Sequence, residues 1–282
     1  MKKLVVLALV CCAVAFAMDV QELQEILTAT NATWTAKENE IALQAERGEI
    51  FFGDLELDEA IDGVLDYEVL EPMRASSYIA PHTSVKNQKN CGSCYAFAAV
   101  GCYESYRKVK NGVTIDGSEQ DFMMKAPKIN VGNGCRGGRT AVVLDVFKKL
   151  GITTEAKCPY LAYEKECANS GTELKINSWA TVKDLASVKS ALQKYGALLC
   201  AFCVYSDFMN YGSGVYRYTT GSFQGGHAVL LVGFDDAKQA FKVKNSWGTG
   251  WGENGYFWIG YDQMDNCVQF IQRSSGAHYI KN

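Results

Sequence analysis

The sequence predicts an α+β fold of two packed lobes, helices first and an antiparallel sheet second. Three observations predict it. Helical periodicity dominates up to Gly196, strand-like runs separated by glycines dominate after it, and the two are not interleaved as βαβ units. The chain has 282 residues, 48% of them apolar, enough for one large core or two modest ones, and no internal repeat is visible.

In chain order, Met1-Lys2-Lys3 precedes an apolar run from Leu4 to Val14, too short to cross a bilayer but the length of a signal-peptide core, and Ala15-Phe16-Ala17 supplies a small-x-small cleavage site. A buried N-terminal helix would not explain two lysines followed by a run with nothing polar. Residues 1–17 are therefore expected to be a signal peptide that sends the chain into the secretory pathway, towards a lysosome or vacuole or the cell exterior. No later run approaches the length of a membrane span, so no membrane association is expected.

Residues 18–69 are acidic, free of cysteine and helix-prone. Val20, Leu23, Ile26 and Leu27 recur at helical spacing after a capping Asp19, and Asn31-Ala32-Thr33 is a glycosylation sequon. Glu71-Pro72 and the polar stretch Arg74 to Ser77 break the pattern, which sets a boundary near residue 70 and a second domain over 70–282. There a helix is expected from Cys94 to Lys108 and another from Thr140 to Lys149, before Gly151. Strands are expected over Leu198 to Tyr205, Gly214 to Tyr218, His227 to Phe234, Phe241 to Asn245 and Gly255 to Tyr261. The formal charge of −3 leaves no basic stripe for a phosphate backbone, so nucleic acid is not an expected partner.

Of eleven cysteines, Cys11 and Cys12 leave with the signal, and the odd number remaining implies disulfides plus at least one free thiol. Cys94 opens a helix, where the dipole favours the thiolate. A nucleophile also needs a base and a group to orient that base. Among three histidines, His227 stands at a strand start after Gly225-Gly226, where glycines let another element approach its ring. His82, in a Pro-containing loop, and His278, in a polar tail, are expected to be solvated surface residues. Asn245 follows the next strand and is placed to accept the His227 ring N–H, and Trp247 to keep water off that bond. An ordinary turn asparagine would not explain Trp247. Gln88 is the side-chain candidate to join a helix-start N–H in binding an oxyanion.

The segment Gln88-Lys89-Asn90-Cys91-Gly92-Ser93-Cys94-Tyr95-Ala96-Phe97 resembles the nucleophile segment of papain-like cysteine peptidases, and His227 and Asn245 follow it by about 130 and 150 residues. Ser118-Glu119-Gln120, Gly134-Cys135-Arg136-Gly137-Gly138 and Asn245 to Gly252 extend the similarity over nearly everything after residue 70. Val204 to Phe208, Ser213 to Tyr216 and Gly225 to Ala228 look most like the cathepsin B-like members. The resemblance implies a papain-like two-lobed fold, with a helical left lobe, an antiparallel β-barrel-like right lobe and the active site in the cleft between them. It implies peptide hydrolysis through a Cys94 thioester, a Cys94–His227 thiolate–imidazolium pair, Asn245 as its orienter, and Gln88 with the Cys94 N–H as oxyanion donors. Gly138 would pair with the substrate main chain as an added strand. Gly92, Gly137, Trp247 and Gln272 would also bind substrate, Gln272 as the neutral floor of a pocket. It further implies Cys91–Cys135 and Cys158–Cys167 disulfides, no cofactor or metal, protein and peptide substrates, the leading segment as an inhibitory propeptide, and a monomer.

Two departures are local: Tyr95 replaces a tryptophan and Lys89 a glycine. A third bears on specificity. The His-bearing occluding loop of cathepsin B is replaced by a short stretch from Cys158 to Cys167 without histidine, which implies an endopeptidase with an open cleft. The competing readings are an exopeptidase of cathepsin B type, a catalytically silent binding protein, and a dithiol oxidoreductase using Cys91 and Cys94. Completeness of the four-residue site argues against the silent protein, and the accompanying His and Asn against the oxidoreductase. Cys102, Cys200, Cys203 and Cys267 receive no role.

Overall fold

Leu198 to Val204 and Ala228 to Val232 are nearly unbroken apolar runs, the pattern of strands covered on both faces. In the computed structural model, which describes residues 19–49, 52, 65 and 67–282, these two runs form the middle of the sheet. The expected signal peptide lies outside the described residues. The helices are α1 (Val20–Ala29), α2 (Glu40–Glu46), α3 (Cys94–Asn111), α4 (Glu119–Lys125) and α5 (Leu185–Tyr195). The strands are β1 (Trp34–Ala36), β2 (Ser77–Ile79), β3 (Trp179–Val182), β4 (Leu198–Tyr205), β5 (Tyr211–Tyr216), β6 (Phe223–Asp235), β7 (Ala240–Lys244), β8 (Tyr256–Gly260) and β9 (Ala277–Ile280).

The sheet runs β1-β5-β8-β7-β6-β4-β9-β3, with β2 also on β6. It is antiparallel except where Val215 and Tyr216 of β5 pair in parallel with Trp258 and Ile259 of β8. That exception corrects the fully antiparallel expectation. β8 runs antiparallel to β7, and β7 to β6, so β5 joins the edge of β8 in the same sense as both β6 and β8.

Alternation along β4 and β6 divides the interior in two. Cys200, Phe202, Val204, Val229 and Leu231 pack with Phe208, Tyr211, Trp251 and Phe257. Leu199, Ala228, Leu230 and Val232 face Tyr95, Ala99 and Tyr103 of α3, with Phe122 and Phe147 behind. Helix α3 approaches the sheet at Gly101, where an added Cβ would lie 3.0 Å from Leu230 Cδ2. It ends at Gly112, which takes the left-handed conformation at φ 66°.

The expected helix over 140–149 is not an α-helix. Asp145 N donates to Val142 O and Val146 N to Val143 O, three residues back, and a wide π-type turn follows over Val146–Leu150. The β-branched pair Val142-Val143 disfavours a regular helix, and Phe147 is held in the core, stacked 4.6 Å from Tyr103. Helices α4 and α5 and strands β1, β2, β3 and β9 lie outside the elements expected from sequence.

The leading segment packs on the β-rich side. Asp19 caps α1 through Gln21 N and Glu22 N. Trp34 of β1 is buried against Tyr211 and Tyr216, and its Nε1 donates to Arg217 O at 2.9 Å. Asn39 caps α2 and donates to Met209 O. Asn31 of the sequon is exposed.

His82 and His278 are not solvated surface residues. His82 is half-buried, with ring nitrogens 2.7 Å from Ala80 O and 3.0 Å from Tyr256 Oη. His278 is 1% exposed on β9, with ring nitrogens 2.9 Å from Thr181 Oγ1 and 2.9 Å from Ser274 O. The tail is polar in sequence but pairs with β3 and is covered on both faces. Burial pushes His278 down to about 4. Between pH 6.5 and 4 the unfolded chain binds a proton that the folded chain does not, so this residue's stability contribution is lost as pH falls through that window, at most about 3 kcal/mol. We expect denaturant unfolding to show a steeper loss between pH 7 and pH 4 in the wild type than in His278→Gln; parallel curves would contradict this account.

Candidate active site

Helix α3 starts without a side-chain cap. The Ser93 hydroxyl lies 2.6 Å from that of Tyr160, which donates to Gln88 O at 2.8 Å. The first N–H groups of the helix are thus left for Cys94 and whatever binds beside it. Cys94 Sγ accepts from Ala228 N across the lobe boundary at 3.4 Å. Burial nonetheless pushes the thiol up to about 11, against the opposing N–H groups of Ala228, Tyr95 and Cys94.

His227, beside Ala228 on β6, is fixed by its neighbours. Its Nε2 is 2.8 Å from Asn245 Oδ1, so Nε2 carries the proton and Nδ1 is the nitrogen available to exchange one with the thiol. Asn245 Oδ1 also accepts from Ser246 N, and Asn245 N donates to Gly255 O. Trp247, 5% exposed, stacks on the imidazole at 4.6 Å and 26°, and meets Trp251 edge-on. Burial lowers His227 to about 4, with the Asn245 bond opposing it.

These two shifts run against the thiolate–imidazolium pair that the resemblance implied. The cause is burial of both groups, to which Phe52 contributes on the His227 side. The Phe52 ring sits edge-on to His227 at 6.3 Å and to Trp247 at 6.0 Å. Gly225, at φ 146°, admits it, because a Cβ there would lie 2.5 Å from Phe52 Cβ. Excluding water disfavours each charge, so thiol and imidazole are both held towards neutrality.

Gln88 is 3% exposed and its amide is fixed at both ends, Oε1 accepting from Ser246 Oγ at 2.6 Å and Nε2 donating to Cys91 O at 2.9 Å. One Nε2 hydrogen remains for a ligand. Lys89 occupies the left-handed region at φ 52°, which a glycine would occupy without strain. Its N–H donates to Asn87 Oδ1 at 2.8 Å, a local turn that offsets part of the cost.

The glycine rim stands on Tyr95. A Cβ on Gly138 would lie 2.8 Å from the Tyr95 ring and one on Gly132 2.9 Å from it, and Tyr95 Oη donates to Gly134 O. That contact accounts for how tyrosine serves where a tryptophan is usual. Gly92 N donates to Cys135 O, Gly137 needs its φ of 105°, and Cys91 is bonded to Cys135. Cys158 is bonded to Cys167. The short loop between them is pinned by buried Gln120, whose Nε2 donates to Tyr163 O and Lys165 O and whose Oε1 accepts from Leu161 N.

The structure therefore brings Cys94, His227, Asn245, Gln88 and Trp247 together, with the glycine rim alongside. Gln272 opens a 3-10 turn beside β4, where Ile271 N donates to Ala201 O, and Ala201 pairs with Ala228 of β6. Of the four cysteines left without a role, Cys102, Cys200 and Cys203 are buried free thiols and Cys267 is an exposed one. Sequence reasoning missed Phe52, Ser246, Tyr160 and the Ala228 N–H. Ser246 and Tyr160 lie within or near quoted motifs, whereas a backbone donor carries no residue signature. Among the described residues no group of three or more His, Cys, Asp or Glu is placed to hold a metal ion, and no helix is long and apolar enough to cross a membrane.

Residues 73–276 match the family described as papain family cysteine protease. The chain belongs to the papain family of cysteine proteases. It is 34% identical over 199 residues to cathepsin B-like CP2 of Giardia intestinalis, covering 63% of this chain and 64% of that protein. It is 36% identical over 202 residues to a cathepsin L-like proteinase of Fasciola hepatica, covering 69% of this chain and 60% of that protein. The chain thus spans less than two thirds of these relatives' own lengths. Among solved structures, a recombinant stem bromelain precursor superposes with a TM-score of 0.71 at 25% identity, over 93% of this chain and 88% of that one.

Reaction with iodoacetamide reads the cover directly. At pH 7 the Cys94 peptide should be alkylated far more slowly than the exposed Cys267 peptide in the same sample, and Phe52→Ala should raise the Cys94 rate by about tenfold or more as the site rehydrates. Equal Cys94 rates in the two proteins would contradict the role given to Phe52.

Proposed function

We propose that the chain is a cysteine-type peptidase made as a self-inhibited precursor, with Cys94 as nucleophile, His227 as its base and Asn245 as the orienter of His227. The observation that carries this reading is the uncapped start of α3, which sets Cys94 Sγ against Ala228 N while Asn245 holds the adjacent imidazole. Attack of the sulfur on a peptide carbonyl forms a tetrahedral intermediate and then a thioester as the amine leaves with the proton from His227. Water, deprotonated by His227, then releases the acid. The Cys94 backbone N–H and the remaining Gln88 N–H receive the oxyanion in both steps. Gly138, with Gly92, Gly137 and Trp247 around it, holds the substrate main chain, and Gln272 is assigned to the floor of the pocket for the second residue before the scissile bond.

Residues 18–69 act as the inhibitory segment, with Trp34 anchoring it on β5 and Phe52 covering His227. The domain that remains begins near residue 70, where Val69 is 88% exposed. Specificity is assigned as endopeptidase, because the Cys158–Cys167 loop carries no histidine to bind a substrate carboxyl terminus and is tied back by Gln120. The two disulfides fit an oxidising compartment, lysosome or vacuole or outside the cell, and the chain acts as a monomer on proteins and peptides.

An epoxide that alkylates activated thiols should label Cys94 in the acid-activated protein and leave Cys94→Ser unlabelled; absence of an adduct on the active wild type would sink the assignment. Gln88→Ala is expected to lower kcat by about 10²- to 10³-fold, the usual loss for one oxyanion donor. Protein lacking residues 1–17 should cleave peptides more slowly than protein starting near residue 70, and equal rates would refute inhibition by the leading segment.

A further inference from the structure

The two oxyanion donors, Gln88 Nε2 and the Cys94 N–H, stand at opposite ends of the loop 88–94. The Cys91–Cys135 bond anchors the middle of that loop, but Lys89 and Asn90 are exposed. Its two ends are tied together by one side chain from elsewhere, Tyr160, two residues after Cys158. A carbonyl has no hydrogen to give, so Tyr160 Oη donates to Gln88 O at 2.8 Å and accepts at 2.6 Å from Ser93 Oγ. Ser93, fully buried, is the residue before Cys94. One oxygen thus joins residues 88 and 93, and each of its two bonds polarises the other. Burial raises the Tyr160 phenol, with the Ser93 bond opposing, so the proton given to Gln88 O stays on that oxygen at acid and neutral pH.

Tyr160 is itself held from three sides. Its ring meets Phe97, one turn along α3 from Cys94, edge-on at 4.8 Å. Its N–H donates to Glu155 Oε1 at 2.7 Å, and the next N–H, of Leu161, donates to the buried Gln120. The hydroxyl is therefore a fixed point to which both ends of the loop are referred.

We propose that Tyr160 is a positioning residue for peptide hydrolysis, its hydroxyl setting the separation of the two oxyanion donors through the Gln88 carbonyl and Ser93. The inference rests on the reading of Cys94 as nucleophile and Gln88 as oxyanion donor. Such donors must meet the oxyanion where it forms, and a shift well under the length of a bond weakens them more in the transition state than in the bound substrate. Removing a donor outright costs about 10²- to 10³-fold. Loosening one is a smaller loss, because Ser246 and Cys91 O still hold the Gln88 amide.

The test is Tyr160→Phe, which keeps the ring against Phe97 and deletes only the hydroxyl, in full-length protein activated at acid pH. It should lower kcat by about tenfold with KM changed less than twofold, the pattern of an interaction made in the transition state. A peptide aldehyde, whose oxygen enters the same hole when Cys94 adds to it, should bind about tenfold more weakly. Alkylation of Cys94 by iodoacetamide, which forms no oxyanion, should keep its rate within twofold. In the Gln88→Ala protein the same substitution should cost less than threefold, since the donor it positions is gone. Ser93→Ala, which removes only one of the two bonds, should lower kcat by about threefold and offers the same comparison should Tyr160→Phe fail to fold. An unchanged kcat, a full tenfold loss in the Gln88→Ala protein, or alkylation slowed in proportion to kcat would overturn the positioning role and leave the peptidase reading intact. A wild type that hydrolyses no peptide would overturn both.

Discussion

The packing of α3 against β6 is the contact on which the rest of the molecule depends. Each lobe builds its own apolar core, and the two meet where Leu230 fills the space left by Gly101. Two turns along that interface, the first residue of α3 meets the N–H of Ala228. Side chains on β6 alternate, so Ala228 turns its methyl to α3 while His227 joins Phe202 and Trp247 on the other face. A slip of one residue in β6 would exchange those faces and remove both the ring and the donor. The register is fixed by the eight-residue pairing of β4 with β6, whose apolar side chains have no alternative place to go.

A buried ionic cluster beside this interface holds the loop before α3. Lys86 Nζ lies 3.1 Å from Glu104 of α3 and 2.7 Å from Glu119 of α4, while Lys244 of β7 donates to Thr83 O and Ser84 O. Charges taken out of water are costly unless paired, so such a cluster is tolerated for the geometry it enforces more than for net stability. Its members are sequence neighbours of the site. Lys86 stands two residues before Gln88 and Lys244 one before Asn245, and Ser246 then bonds Gln88 directly. Positions far apart in sequence are thereby held to one another through the loop 83–88.

The legible part of this design was the part carried by side chains in local motifs. Cys94 at a helix start, His227 after two glycines and Asn245 before Trp247 were each readable because the chemistry restricts their neighbours. Strands β4 and β6 were readable because both-face burial writes nearly continuous apolar runs. What escaped depended on partners distant in sequence. β9 looks like a polar tail until β3 covers it, and the 140–149 segment looks helical until Phe147 is claimed by Tyr103. The parallel β5–β8 pair has no local signal, since direction is set by the order in which strands are laid down. Phe52 could not be chosen from an acidic stretch, because its meaning lies in the glycine at 225.

The covered state separates geometry from electrostatics. The His227–Asn245 bond is formed at 2.8 Å, the Gln88 amide is fixed at both ends and the glycine rim rests on Tyr95, all with Phe52 in place. What the cover withholds is solvent: burial sends the thiol up to about 11 and the imidazole down to about 4, the opposite of what proton transfer between them needs. Under the peptidase reading, removal of the leading segment has no hydrogen bond of the site to rebuild. Water returning to the cleft lowers the cost of both charges at once, and each charge once formed favours the other by proximity. Hydration and mutual attraction then act in the same direction, so exposing a prebuilt site is sufficient to move the pair from neutral towards ionised. Under the same reading, that is how one chain would carry its site prebuilt and hold it inactive until the leading segment leaves.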